Sequence, residues 1–230
     1  MKVEGDSALL DEKLQKIKQI VEKELSCSAH DMDHVMRVYK ICLEIAKHEE
    51  NVDFDVLKAA ALLHDIARVK EYQDSTGSID HAVLGAEMAE KILENLGYPE
   101  EKIEKIKHCI ISHRFRSSIK PRTIEAKILS DADKLDVLGA IGIARSFMIA
   151  GHWGQKMYLD VPLEDYVREN VVNGRIKDIR KHAPNLEFEL KFKYIPGKLY
   201  TKRAKEIAKE RMRFMEEFFR RLKEELEGRA

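Results

Sequence analysis

The chain is poor in cysteine. Cys27, Cys42 and Cys109 are its only three, and no two of them stand in C-x-x-C spacing. An odd, scattered set argues against a disulfide scaffold and against a cysteine-rich zinc module, and leaves apolar burial as the ordinary role of each thiol. An excess of one charge sign is missing too. The 41 Lys and Arg balance the 41 Asp and Glu, so no overall field draws the chain to nucleic acid or to an anionic membrane. Helix-turn-helix, RNP and zinc-finger signatures are absent, and nucleic acid is not an expected partner. No run of eighteen apolar residues is present, and the opening MKVEGDSALLDEKLQK has charge within a few residues and no apolar h-region. Neither a membrane span nor a signal peptide is expected, and the cytoplasm is the expected location.

What is present is length and helical periodicity. The 230 residues, 44% hydrophobic and 36% charged, suffice for one substantial core under a heavily charged surface. Residues 9–25 place Leu14, Ile17, Val21 and Leu25 on one stripe, and residues 33–48 repeat the pattern. Asp53 or Asp55 can open a helix running to about Arg68, with KEYQDSTGSI as a loop after it. Ser78 or Asp80 starts the next helix, which Gly97 and Pro99 end. Residues 100–112 form another. Thr123 leads into a long segment interrupted by Gly139 and Gly142, which predicts two helices or a kinked one. A helix is expected over 163–181 after Pro162. LEFELKFKYI, residues 186–195, alternates, so Phe188, Leu190, Phe192 and Tyr194 predict a short strand pair or an extended cover. The last helix is expected over 201–227. Its aromatic face RFMEEFF is suited to docking on the core or on a second subunit of a homodimer.

The chemistry gathers where apolar helix meets polar residues. In LKAAALLHDIARVKEY an apolar run leads straight into His64 and Asp65. A bare carboxylate carried inward by such a helix costs several kcal/mol (about) or gives up its charge. A divalent cation removes that cost and keeps the carboxylate ionised. AHDMDHVMRV adds His30 and His34 at i, i+4, and LSDADKLDVLGAIGI adds Asp131, Asp133 and Asp136. Imidazole nitrogen and carboxylate oxygen suit Mn, Fe, Ni, Co, Zn or Mg. Each piece alone is ordinary: a surface His, a capping Asp, an Asp paired with Lys134. The order H…HD…D on successive helices is not.

That order resembles the signature of the HD-domain superfamily of metal-dependent phosphohydrolases, in its small stand-alone bacterial and archaeal branch. The resemblance covers roughly residues 20–150, and LYTKRAKEIAKERMRFMEEFF resembles the tail of the same branch. It implies an all-α helical bundle over 1–182, with 183–230 an extended or β segment and a helical appendage packed on the same domain. It implies metal ligands His34, His64, Asp65 and Asp131, with one divalent ion per chain. Members with two ions carry extra histidines between the HD pair and the last Asp, the interval that here holds His81, His108 and His113, so a second ion stays open. Otherwise His81 or His113 would bind phosphate or relay protons. Some single-metal nucleotidases of the superfamily place a Glu three residues after the HD Asp. Here that position is Arg68, so the role is absent, moved to Asp133 or Glu71, or left to the metal's own water and Asp65.

Arg68 is suited to phosphate through its planar fork of donors, with Lys70, Lys134 and Arg114 as helpers. The expected catalytic set is therefore Asp65, His81, His113 and Arg68. The expected reaction is hydrolysis of a phosphomonoester or phosphodiester in a nucleotide or other small phosphorylated metabolite. Tyr39, Tyr72, Phe115 and Trp153 are candidates for stacking on a base, with His152 beside the last. Two alternatives stand beside this reading: a di-iron oxygenase of the same superfamily, and a nucleotide sensor with a vestigial site.

Overall fold

Asp53 decides where the central helix begins. Its side chain accepts from the backbone N–H groups of Asp55 (3.1 Å) and Val56 (3.2 Å), a cap that contributes about 1 kcal/mol. In the computed structural model, which describes residues 2–25, 32–114, 119–172 and 174–229, that helix is α3, Phe54–Leu63. Val56, Leu57 and the run from Ala59 to Leu63 are all buried. Helices this apolar on every side form the middle of a bundle rather than its surface. Truncating fully buried Leu63 to alanine costs about 2–5 kcal/mol.

Around α3 stand α1 (Lys2–Glu24), α2 (Met32–Ala46) and α6 (Glu100–Ser112), each packed directly against it. The α1 stripe of Leu14, Ile17 and Val21, with Leu25 just beyond the helix, is buried as its spacing predicts. α4 (Arg68–Gln73) follows α3 after a tight turn, and α5 (His81–Asn95) packs along α6. Asp80 caps α5 by accepting from Ala82 N at 2.9 Å, and Gly97, at φ +65°, closes it in the left-handed region. α7 (Ile124–Leu135) is tied to the start of α3 by Glu125, which accepts from Asp53 N at 2.8 Å. The stretch after Arg68, expected as loop, is helical as far as Gln73.

The chain divides into two compact units. The first is Met1–Lys134 with Tyr200–Ala204; the second is Leu135–Leu199 with Lys205–Ala230. The second unit contains α8 (Gly139–His152), α9 (Leu163–Asn170), α10 (Pro184–Leu190) and most of α11 (Lys202–Leu226). At α8, a Cβ added to Gly142 would lie 2.0 Å from the Val137 carbonyl oxygen, so the close approach requires glycine.

Two expectations fail in this unit. The helix over 163–181 stops at Asn170, where a minimal hairpin takes over: β1 (Val171–Val172) pairs antiparallel with β2 (Arg175–Ile176), Val171 opposite Ile176. Gly174, at φ +71°, supplies the turn. Residues 186–195 form no strand. α10 covers their first half and a 3-10 turn, Phe192–Tyr194, follows. Leu186, Phe188, Phe192 and Ile195 are buried here, while Tyr194, which alternation would turn inward, is exposed. Pro184 sits at the first turn of α10, where its missing N–H costs nothing. Among the described residues the fold is all-α apart from that two-stranded hairpin.

A polar chain runs through the second unit. Asn170 Nδ2 donates to Tyr166 Oη (3.0 Å), which lies 2.7 Å from His182 Nδ1, and His182 Nε2 lies 3.0 Å from Glu187 Oε2. A neutral His182 protonated on Nε2 satisfies all three contacts, because Tyr166 then donates to Nδ1. Burial raises Glu187, but its bonds from His182 and Lys191 bring it down to about 2.

Candidate metal centre

His64 and Asp65 leave α3 at its last turn. The turn is closed by Ile66 N to Leu63 O (3.1 Å) and Arg68 N to Asp65 O (2.8 Å), so both side chains are carried by a rigid corner. His64 is fully buried and its Nδ1 donates to Ala61 O at 2.8 Å. That bond fixes the tautomer and leaves a lone pair on Nε2. Nε2 lies 3.3 Å from Nε2 of His34, on α2. His113, at the end of α6, repeats the arrangement: Nδ1 on Ile110 O at 2.5 Å, Nε2 inward. His81, first residue of α5, has Nδ1 2.9 Å from Glu71 Oε2 and Nε2 inward as well.

Asp65 stands among the four imidazoles with its two oxygens facing different pairs. Oδ2 is 3.6 Å from His34 Nε2 and 3.9 Å from His64 Nε2. Oδ1 is 3.4 Å from His81 Nε2 and 3.7 Å from His113 Nε2. Two groups able to hold a metal ion therefore share one carboxylate: His34, His64 and Asp65, and Asp65, His81 and His113. Donor atoms about 2.1 Å from a tetrahedral ion lie about 3.4 Å from one another, which matches these separations. Buried lone pairs pointed at one another repel unless a proton or a cation lies between them. The residues present fit a divalent cation.

The electrostatics point the same way. Burial pushes His64 down to about 4, so it is neutral near pH 7, the state a ligand requires. Burial also lowers His81. Asp65 is raised by burial, but His64, His113 and His34 outweigh that and hold it well below the ordinary carboxylate range.

Two aspartates, Asp131 and Asp133, stand two residues apart on α7. Asp131 was expected to complete the ligand set; neither it nor Asp133 belongs to either group. Asp131 Oδ1 accepts from Tyr200 N (2.9 Å), and its Oδ2 from Thr201 N (2.7 Å) and Thr201 Oγ1 (2.8 Å). Burial raises Asp131, against those bonds. Asp133 is the residue turned inward, with Oδ1 3.5 Å from His34 Nε2. Burial would raise Asp133, yet the hydrogen bond from His34 and the charges of His113, His34 and His64 lower it. Two positions along a helix turn a side chain by about 200°, so Asp131 and Asp133 face opposite ways.

Arg68 lies beside the cluster. Its Nη1 bonds Glu71 Oε2 at 2.7 Å and lies 2.9 Å from His81 Nδ1. Arg114 reaches Glu71 Oε1 (3.1 Å) and Asp80 Oδ2 (2.7 Å). Lys134 is buried and donates to His113 O (3.2 Å), Ser130 O (3.0 Å) and Ser130 Oγ (2.5 Å), which fastens the end of α6 to α7. His108 takes no part in the cluster; its Nε2 accepts from Arg122 N at 3.0 Å. Lys70 pairs with Glu24. Asp136, in the second unit, is bound by Arg145 at 2.8 Å. Tyr72 on α4 is exposed, Tyr39 on α2 is half-buried, and His152 and Trp153 stack edge-on at the end of α8. His30, Phe115 and Arg116 lie outside the described residues. Sequence reasoning did not find Glu71 as the partner of His81, nor Thr201 as the partner of Asp131. Ten and seventy residues separate these pairs, and no local spacing marks either one.

Helices that deliver three further histidines and an HD corner to one buried point define an HD-type domain. The HD domain family model matches residues 32–138. The YpgQ protein of Bacillus subtilis is 31% identical over 205 residues, which span 87% of this chain and 86% of that one, and the chain belongs to the HD-domain family. A crystal structure of an HD-superfamily hydrolase from Bacillus thuringiensis superposes with a TM-score of 0.71 at 29% identity, covering 95% of this chain and 98% of that one. B. subtilis YpgQ, solved in complex with ADP, gives 0.70 at 27% identity, over 94% and 96% of the two chains. The 3'-5' exoribonuclease YhaM of Listeria innocua is 29% identical over 115 residues, 45% of this chain but only 37% of its own length. Among the described residues, no single helix is long and apolar enough to cross a membrane.

Proposed function

We propose that the protein is a divalent-metal-dependent phosphohydrolase acting on a nucleotide or another small phosphorylated metabolite. The observation that carries this reading is the Asp65 carboxylate, buried among four imidazoles with Nε2 contacts of 3.4–3.9 Å. His34, His64, Asp65 and Asp133 would hold the ion. When bound, the cation polarises a phosphoryl oxygen and acidifies a water.

The chain's own residues supply the rest. Arg68 and Arg114 present guanidinium groups at the edge of the cluster, where a phosphate can exchange for their present carboxylate partners. His81 and His113 hold Nε2 beside Asp65 Oδ1, where each can relay a proton during hydrolysis. The burial of His64 and Asp65 keeps bulk water away from the ligands. The ADP held by B. subtilis YpgQ supports a phosphorylated small molecule as ligand, and the exoribonuclease relatives share the cleavage of phosphate esters.

The division of Asp65 between two histidine pairs favours a second reading of occupancy, in which His81 and His113 hold a second ion with Asp65 as the bridge. The test is metal analysis joined to a screen of nucleotides and sugar phosphates, with Mn, Co, Ni, Mg and Fe added in turn. Phosphate release that depends on the added metal supports the proposal. Two iron per chain with a near-visible absorption and no phosphate release would instead establish the di-iron oxygenase. If His81→Ala lowers two bound ions to one, the second site is real; if only the rate falls, His81 serves proton transfer.

A further inference from the structure

His81 is held between two neighbours that want opposite things from it. Glu71 Oε2 and Arg68 Nη1 each lie 2.9 Å from the same ring atom, Nδ1. A carboxylate only accepts and a guanidinium only donates. If Arg68 donates to Nδ1, the ring proton sits on Nε2 and points at Asp65 Oδ1, 3.4 Å away. If Glu71 accepts from Nδ1–H, Nε2 faces Asp65 as a lone pair. The two arrangements leave the centre with different donors.

We infer that Glu71 is a positioning residue which holds His81 in the Nδ1–H form. Three observations carry this. Arg68 Nη1 already has a closer acceptor in Glu71 Oε2, at 2.7 Å, and gains little by turning to a ring nitrogen. Glu71 is itself fixed from its other oxygen by Arg114 at 3.1 Å, and Arg114 is fixed by Asp80 at 2.7 Å, so the carboxylate is oriented from both sides. His64 and His113 bind pure acceptors at Nδ1, the carbonyls of Ala61 and Ile110, and both turn a lone pair inward. Glu71 makes His81 the third histidine of that kind, with a carboxylate where the others have a carbonyl. A carboxylate behind an imidazole fixes ring orientation and raises its basicity. The consequence for turnover rests on the phosphohydrolase reading; the tautomer does not.

The experiment is nitrogen-15 NMR of the histidine rings in metal-free protein. Wild-type His81 is expected to carry its proton on Nδ1. In Glu71→Ala the remaining neighbour is Arg68, and the proton is expected to move to Nε2. Arg68→Ala is expected to leave it on Nδ1. With metal restored, Glu71→Ala is expected to lose about 10- to 100-fold in kcat, and Glu71→Gln, whose amide oxygen still accepts, to recover part of that loss. A wild-type spectrum with the proton on Nε2 overturns the inference without any variant, and so does Glu71→Ala with the proton still on Nδ1. Should the tautomers behave as stated while no phosphate ester is hydrolysed, the phosphohydrolase reading falls and the role of Glu71 stands.

Discussion

Two aspartates two residues apart should fail in different ways. Asp131 receives Tyr200 N, Thr201 N and Thr201 Oγ1, and Thr201 is only 4% exposed. In Asp131→Ala, the two Thr201 donors lose their acceptor in a place water does not reach. A buried donor left unpaired costs about 1–3 kcal/mol, so the pair costs about 2–6 kcal/mol. Releasing a buried carboxylate offsets part of this, and about 3 kcal/mol is the expected net loss. For a chain of this size that is about 10 °C in Tm. Asp133→Ala removes the oxygen that faces His34 and should leave Tm close to wild type while abolishing cation binding. The assay pairs thermal unfolding with calorimetric titration of Mn on each metal-free variant. The reasoning is refuted if Asp131→Ala loses the cation at unchanged Tm while Asp133→Ala keeps it.

Other outcomes follow from single observations. Gly142→Ala forces a Cβ to 2.0 Å from the Val137 carbonyl oxygen and should destabilise the second unit by about 3 kcal/mol or more, read by urea unfolding. Glu187 is held at about 2 against an ordinary 4.5. Its contribution is therefore complete above pH 4.5 and lost as pH falls through about 2, and it is worth up to about 3 kcal/mol. Unfolding curves at pH 6 and pH 3 should lie closer together in Glu187→Gln than in wild type, because the glutamine lacks that loss. Chelation should abolish phosphate release, and one of the five screened metals should restore it.

The bundle was largely legible because its helix boundaries are local chemistry. Asp53 and Asp80 cap, Gly97 ends a helix in the left-handed region, and the α1 stripe repeats at helical spacing. The segment 186–195 was not legible. Its alternating apolar residues suit a strand, and the helical turns of 184–190 and 192–194 bury Ile195 and expose Tyr194 against that alternation. The HD corner stood out in the sequence only through the order H…HD…D on successive helices, since the His-Asp pair alone is ordinary. The choice between Asp131 and Asp133 was not legible, because it depends on Thr201, which lies seventy residues further along the chain. The same holds for Glu71, which meets His81 only after a loop folds back.

The most direct test of the account is the metal content of purified protein after exhaustive dialysis, for wild type and for Asp65→Asn, following incubation with Mn. Wild type is predicted to retain at least one ion per chain and Asp65→Asn none, with both folded. An Asp65→Asn protein that keeps the full complement, or a folded wild type that takes up no divalent ion, would contradict it.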